Sequence, residues 1–455
     1  MSSKQSFKMF KRDIIIELQK WASKINRKPL VLRGARQVGK TTVVQMFSKE
    51  FDQFIYLNLE KEEQREIFEL NYPFADLLTT LFIFSQTKRN GGKTLIFIDE
   101  IQNSPKAIAL LRYFHEEAND LFVIAAGSLL ENSLNRTISF PVGRVEYMVL
   151  RPCSFREFLY ATRNDQLIDV LDSTEVPQFL HSQLIALFRK YATIGGMPEV
   201  VNQYSQRLEI TELDSIYDSL IQSYYEDIEK YASSSAQVNY IRHIIANVFR
   251  EAGTRITFEK FGNSSYRSRE MKEAFLSLEK TMLIRLVYPC TNTELPLKPS
   301  LVRKPRLHVL DTGLFNHSLK IMGELVFNKN INMVHRGIVA EHIIGQELLA
   351  SNFSISNELH FWVREKTDSS AELDYIFQYK GKLIPIEVKS GSIGKLRSLH
   401  QFMDMAPHAY AVRIWQGPYS TEKAKTIAGN EFTLINLPFY LAHRIEKELD
   451  KEIKI

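Results

Sequence analysis

The run Gly34-Ala35-Arg36-Gln37-Val38-Gly39-Lys40-Thr41, continued by Thr42, has the residue types and spacing that phosphate chemistry requires. Its glycines let backbone N–H groups turn inward around phosphate oxygens, and a helix starting beside them adds the positive end of its dipole. Lys40 then reaches the β and γ phosphates, and the Thr41 hydroxyl is an oxygen ligand for Mg²⁺. The expected cofactors are therefore ATP and Mg²⁺. A second component lies where Thr94-Leu-Ile-Phe-Ile98 runs into Asp99-Glu100. Asp99 suits the acid that holds the Mg²⁺ shell, and Glu100 suits a base that orients the attacking water.

Another polar constellation sits near the C-terminal end. Glu341 lies at helical spacing with Ile338, Ile344, Gly345 and Leu348, which sets a carboxylate within an apolar face. Such an acid needs a partner or a metal. Glu372-Leu-Asp374-Tyr-Ile-Phe377 alternates like a strand, and Leu383-Ile-Pro-Ile-Glu387-Val-Lys389 forms a second after a Tyr-Lys-Gly-Lys turn. Strand side chains alternate with period two, so Glu387 and Lys389 share a face.

The elements that must position the first set are strand, loop and helix: Leu30-Val31-Leu32 before the glycines, and Thr42 to Phe47 at helical spacing after them. In an open parallel sheet, ligands sit beyond the carboxyl ends of the strands, which brings Asp99 and Glu100 beside the loop. A third apolar strand, Leu121 to Ala126, ends in Gly127-Ser128. Together the Gly34–Thr41 loop and these two strand ends resemble AAA-type ATPases. More particularly, they resemble a bacterial and archaeal family that joins such an ATPase to a C-terminal domain of unknown function. The resemblance implies that Ser128 senses the γ-phosphate. It also implies an arginine finger from a neighbouring subunit or domain, which falls on Arg144 within Phe140-Pro-Val-Gly143-Arg144-Val145, with Arg136 as the runner-up. A finger acting in trans would make the protein a homo-oligomer; the alternative is an ordinary surface arginine.

Beyond Arg151-Pro152 the chain reads as helical to about Tyr231, broken by the tight turn Gly195-Gly196-Met197-Pro198. From Asn239 to Pro289 the order helix, Ile256-Thr-Phe258, turn, helix and strand resembles a winged helix. That module would offer Arg267, Arg269 and Lys272 to DNA, or would pack between domains with its charges solvated. Leu307-His-Val-Leu-Asp311-Thr-Gly313-Leu314 resembles a family signature, and Asp311 suits a cap before a helix. The C-terminal set resembles the PD-(D/E)XK nuclease fold. By that resemblance Asp374 and Glu387 are metal ligands, Lys389 is the catalytic lysine, and Glu341 is the helix acid.

The predicted fold is thus α/β and multidomain. It comprises an AAA-type core with a parallel sheet over 1–150, a helical lid over 151–232, a winged-helix-like module over 233–320 and a nuclease-like domain over 321–455. At 455 residues, with 44% hydrophobic and 24% charged side chains, the chain is long enough for several cores. Its polar N-terminus and lack of a long apolar run predict a cytoplasmic protein without a membrane span. Two cysteines, Cys153 and Cys290, are too few for a disulfide framework. A net charge of +5 is compatible with DNA, the expected polymeric partner, without requiring it. Two functions stay open: an ATPase that controls DNA binding or cleavage, and an ATP-dependent switch whose C-terminal domain is an inactive partner-binding module.

Overall fold

The computed structural model describes residues 9–127, 140–173, 175–232, 234–328, 337–364, 371–389 and 396–453. Backbone contacts divide the chain into two compact units. The first is Met1–Arg151 with Lys280–Met282 and Phe353–Ser356; the second is Pro152–Glu279, Leu283–Asn352 and Asn357–Ile455.

In the first unit, α1 (Ile14–Ala22), α2 (Lys40–Phe47), α3 (Glu62–Glu69), α4 (Phe74–Phe84) and α5 (Pro105–Glu117) accompany five strands. These are β1 (Leu30–Arg33), β2 (Gln53–Asn58), β3 (Thr94–Asp99), β4 (Phe122–Ala126) and β5 (Glu146–Val149). The strand order is β2-β3-β4-β1-β5, and every neighbouring pair is parallel. β1, β3 and β4 are buried along their whole length. That is why they read as unbroken apolar runs rather than alternating ones. On one face Val31, Ile55, Leu57, Ile96, Ile98 and Val123 pack against Ile67, Phe68, Leu77, Leu111 and Phe114 from the helices. Each fully buried side chain of this kind contributes ~1.5–3 kcal/mol. α5 starts with Pro105, and the Ser104 hydroxyl accepts from Ala107 N at 3.1 Å, so the helix start is fixed by sequence.

The second unit begins with α6 (Phe155–Ala161), α7 (Asp165–Asp172), α8 (His181–Ile194), α9 (Pro198–Arg207), α10 (Asp214–Glu226) and α11 (Ile228–Tyr231). Next come α12 (Ser235–Val248), α13 (Ser268–Glu279), β6 (Ile284–Val287), β7 (Pro289–Cys290), β8 (Arg306–Val309), α14 (Thr312–Ser318), α15 (Met322–Phe327) and α16 (Ile338–Ala350). The remainder is β9 (Phe361–Val363), β10 (Glu372–Leu373), β11 (Tyr375–Tyr379), β12 (Lys382–Lys389), α17 (Arg397–Met403), β13 (Tyr410–Trp415), β14 (Ser420–Lys425), β15 (Glu431–Pro438) and α18 (Ile445–Glu452). The last sheet runs β11-β12-β13-β15-β14: the inner pairs β12–β13 and β13–β15 are parallel, and the outer pairs are antiparallel.

Two sequence signatures that lie more than a hundred residues apart meet inside this unit. Asp311 caps α14: its Oδ1 accepts from Gly313 N at 2.9 Å and Leu314 N at 3.1 Å. Its Oδ2 accepts from Gly196 N at 2.5 Å and Gln346 Nε2 at 3.1 Å. A Cβ on Gly195 would stand 2.3 Å from Asp311 Oδ1, and one on Gly313 would stand 2.0 Å from the Ile194 carbonyl oxygen. The double glycine and the Asp-Thr-Gly run are therefore two halves of one backbone contact.

Two expectations about local structure change. The stretch from Glu372 to Phe377 is not one strand: it bends at Asp374, β10 pairs with β9, and β11 pairs with β12. And α16 is buried on nearly all sides rather than amphipathic, because it is packed against α8, α14, β12 and the turn at Phe439–Arg444.

Candidate functional site

The loop at Gly34 follows β1, and α2 starts at Lys40 with Gly39 as its N-cap. Gly39 sits at φ 91°, a left-handed conformation that favours glycine. Gly34 is held to glycine by space, since a Cβ there would meet the Leu150 carbonyl oxygen at 2.4 Å. Lys40 is buried, and its ammonium donates to the carbonyls of Gly34 (3.0 Å) and Ala35 (2.9 Å). Burial lowers its pKa, while Glu100 and Asp99 pull it back up. The Thr41 hydroxyl donates to Asp99 Oδ2 at 2.7 Å. Asp99, at the end of β3, is pushed above the usual carboxylate range, chiefly by burial. Hydroxyl and carboxylate oxygens placed side by side in this way are the hard donors that suit Mg²⁺. Glu100 follows in a left-handed conformation (φ 51°), and its Oε2 accepts from the Gln102 amide.

Three contributors escaped the sequence reading. Arg12 is buried and donates to the Val38 carbonyl at 3.1 Å and to the Arg151 carbonyl at 2.8 Å, which ties the loop to the segment after β5. Tyr56 donates to Asp99 Oδ2 at 3.3 Å, and burial, with that partner, pushes its hydroxyl up to about 12. Gln102 holds Glu100. Only the neighbouring of β2 and β3 in the sheet brings Tyr56 to Asp99, and no spacing in the sequence signals it.

Arg144 is not at this loop. It precedes β5, whose first residue Glu146 pairs with Leu30 at the start of β1, so it lies at the end of the strands opposite the one that carries Gly34. Its Nε donates to Glu116 near the end of α5 at 2.7 Å. Ser128 and Arg136 lie outside the described residues.

In the second unit the four residues of the C-terminal constellation come together. Antiparallel pairing of Tyr375 with Ile386 sets Asp374 opposite Glu387. Asp374 Oδ2 accepts from Val388 N at 2.7 Å, and Lys389 Nζ lies 2.8 Å from Glu387 Oε1. Glu387 Oε2 is buried and accepts no hydrogen bond among the described residues. Burial and the neighbouring carboxylate of Asp374 push both Glu341 and Glu387 well above the usual range. Tyr375, whose hydroxyl donates to the Glu341 carbonyl at 2.8 Å, fixes α16 against this sheet. Crowded, buried acids of this kind call for a cation, and the orphaned Glu387 oxygen fits a metal ligand. The present geometry is not a finished metal cage: among the described residues no three His, Cys, Asp or Glu groups are set to hold an ion. Instead a cation missed by the sequence reading stands here. Arg306 donates from Nη1 to the Asp374 carbonyl at 3.0 Å and from Nη2 to Glu372 Oε1.

The parallel sheet with a glycine loop between β1 and α2 and an acid at the end of β3 defines a P-loop nucleotide-binding domain. Residues 26–159 match the profile of an AAA domain, so this part of the chain is an AAA-type ATPase domain. Residues 185–325 and 336–440 match two domains of unknown function, DUF8612 and DUF4143. No curated protein matches the chain. Among solved structures it is similar to the Walker-type ATPase PABY2304 of Pyrococcus abyssi, with 14% identity and a TM-score of 0.44, covering 68% of this chain and 96% of that one. It is also similar to the Aeropyrum pernix ORC1 protein in complex with DNA (13% identity, TM-score 0.28, covering 68% and 90%). A third is the Thermotoga maritima RuvB Holliday junction branch migration motor (16% identity, TM-score 0.27, covering 60% and 86%). No helix among the described residues is long and apolar enough to cross a membrane.

Proposed function

We propose that the chain binds and hydrolyses ATP with Mg²⁺, and that its nucleotide state controls a metal-dependent domain acting on DNA. In the ATPase domain Lys40 binds the β and γ phosphates, and Thr41 and Asp99 hold the metal. Glu100 orients the attacking water once Gln102 releases it. A bound Mg²⁺ supplies charge neutralisation at the phosphates.

The observation that carries the second half is the convergence of Glu341, Asp374, Glu387 and Lys389 from α16, the β10–β11 bend and β12. In this reading Asp374 and Glu387 bind a divalent cation, Lys389 positions water, and Glu341 completes the acidic face. α12, α13 and the β6–β8 pair support a winged-helix reading, with Arg267, Arg269 and Lys272 all exposed towards a phosphate backbone. One observation favours the other reading, an ATP-dependent switch with an inactive partner-binding domain: a guanidinium bonded to the Asp374 backbone carbonyl and to Glu372 stands beside the acidic cluster, and among the described residues no three acids are set to hold an ion.

Plasmid and linear DNA incubated with Mg²⁺ or Mn²⁺, with ATP or a non-hydrolysable analogue, separates the two. Cleavage by the wild type that is lost in Glu387→Ala is expected. DNA left intact under every condition, with ATP still hydrolysed and Lys40→Ala inactive, would select the switch instead.

A further inference from the structure

Arg306 is the first residue of β8, which pairs with β6, and it forms an isolated bridge to Arg255. Its backbone therefore belongs to the β6–β8 pair, while its side chain reaches into the acidic centre formed by α16, the β10–β11 bend and β12. Arg306 is 7% exposed, and its guanidinium lies 4.5 Å over the Phe361 ring and donates to both the Asp374 carbonyl and Glu372. Glu372 is shared with Arg255, whose Nη1 lies 3.5 Å from Oε2. Stacking and two hydrogen-bonded sides fix where this charge sits. Its field acts on Asp374 and Glu387, the two acids that would take a metal, and on Glu341 beside them.

We propose that Arg306 is a built-in counter-ion of this cluster that competes with a divalent cation for it, so that metal loading is set from the strand that carries Arg306. The proposal rests on reading the cluster as a metal centre. Buried acids stay ionised only with compensating positive charge, and a fixed guanidinium, together with Lys389, supplies it when no metal is bound. A divalent ion entering beside the guanidinium meets a repulsion that water-like screening does not remove. At ~5 Å separation that repulsion weakens binding roughly tenfold or more. A shift of β8 that withdraws Arg306 leaves the acids uncompensated and raises their demand for the metal.

The test is Mn²⁺ binding to the nucleotide-free full-length chain at pH 8, followed by calorimetry and by the bound-ion resonance signal. Arg306→Gln should bind about tenfold or more tightly than the wild type, and Arg306→Gln combined with Glu387→Gln should lose that gain. The double variant assigns the gain to this centre rather than to Thr41 and Asp99. Arg306→Met, which removes the charge while keeping an unbranched stem against the Phe361 ring, provides a second variant should the glutamine form fail to fold; it too should bind more tightly than the wild type. Equal or weaker binding by the folded Arg306 variants overturns the proposal while leaving the metal-centre reading intact. No Mn²⁺ bound by any form at millimolar concentration, other than what Asp99→Asn abolishes, removes the metal-centre reading and this proposal with it.

Discussion

Asp311→Asn isolates the contact that joins the double glycine to α14. The substitution keeps the side-chain shape and turns one acceptor oxygen into an amide donor. Each Asp311 oxygen serves two donors: Gly313 and Leu314 at Oδ1, Gly196 and Gln346 at Oδ2. Gln346 cannot turn its own amide to help, because its Oε1 accepts from both Thr312 N and Thr312 Oγ1 at 2.9 Å. Whichever way the asparagine amide is set, two buried donors lose their acceptor, at ~1–3 kcal/mol each. Part of this is recovered, since burial opposes the Asp311 charge and pushes its carboxyl up to about 6. The net loss should be ~2–4 kcal/mol, and Asp311→Ala, which leaves all four donors unserved, should lose more. Urea unfolding of the full chain, read from Trp362 and Trp415 in a Trp21→Phe background, reports on the unit that holds Asp311. An Asp311→Asn midpoint equivalent to a change below ~0.5 kcal/mol would refute the reasoning, as would an alanine variant more stable than the asparagine one.

Two further outcomes follow from side chains outside the proposed chemistry. His443 is pushed down to about 4 by burial and by the nearby Arg156 and Arg444. The unfolded chain thus takes up this proton near the ordinary histidine value while the folded chain does not. The stability this neutral ring contributes is complete above about pH 6.5 and is lost as pH falls toward 4, on the order of 2 kcal/mol of it by pH 5; His443→Gln should flatten the urea midpoint between pH 7.5 and 5, and unchanged slopes would contradict it. Arg144 lies at the end of the sheet away from Gly34, so a direct part in hydrolysis as an arginine finger requires a second chain. Arg144→Ala should retain ATP binding, lose turnover roughly a hundredfold or more, and regain activity when mixed with Lys40→Ala protein. Full activity of the isolated variant would reduce Arg144 to its exposed pair with Glu116.

How legible the sites were depended on how local their geometry is. The loop from Gly34 to Thr41 could be read directly because strand, turn and helix start are consecutive, and each has its own residue requirement. Asp99 and Glu100 were readable because a parallel sheet places all strand carboxyl ends on one side. That Glu387 and Lys389 share a face followed from period two, and their ion pair agrees with it. The alternation at Glu372 to Phe377 misled, because a bend at Asp374 keeps alternation locally while the two halves pair with different strands. The uniform burial of α16 was equally hidden, since a helix enclosed by other elements loses its polar face whatever a few charged positions suggest.

By itself the sequence determined the phosphate loop, the strands and helix start that flank it, the acids at the end of the next strand it read, and the glycine and proline breaks. Each of these is dictated by residues near one another in the chain, through backbone freedom, periodicity and capping. Only the tertiary structure decided that Tyr56 meets Asp99, that Gly196 meets Asp311, that Arg144 stands away from its own phosphate loop, and that Arg306 enters the acidic cluster. Those contacts depend on strand order, register and burial. The free energy that selects them comes from removing apolar surface from water across the whole core, which no short stretch of residues encodes.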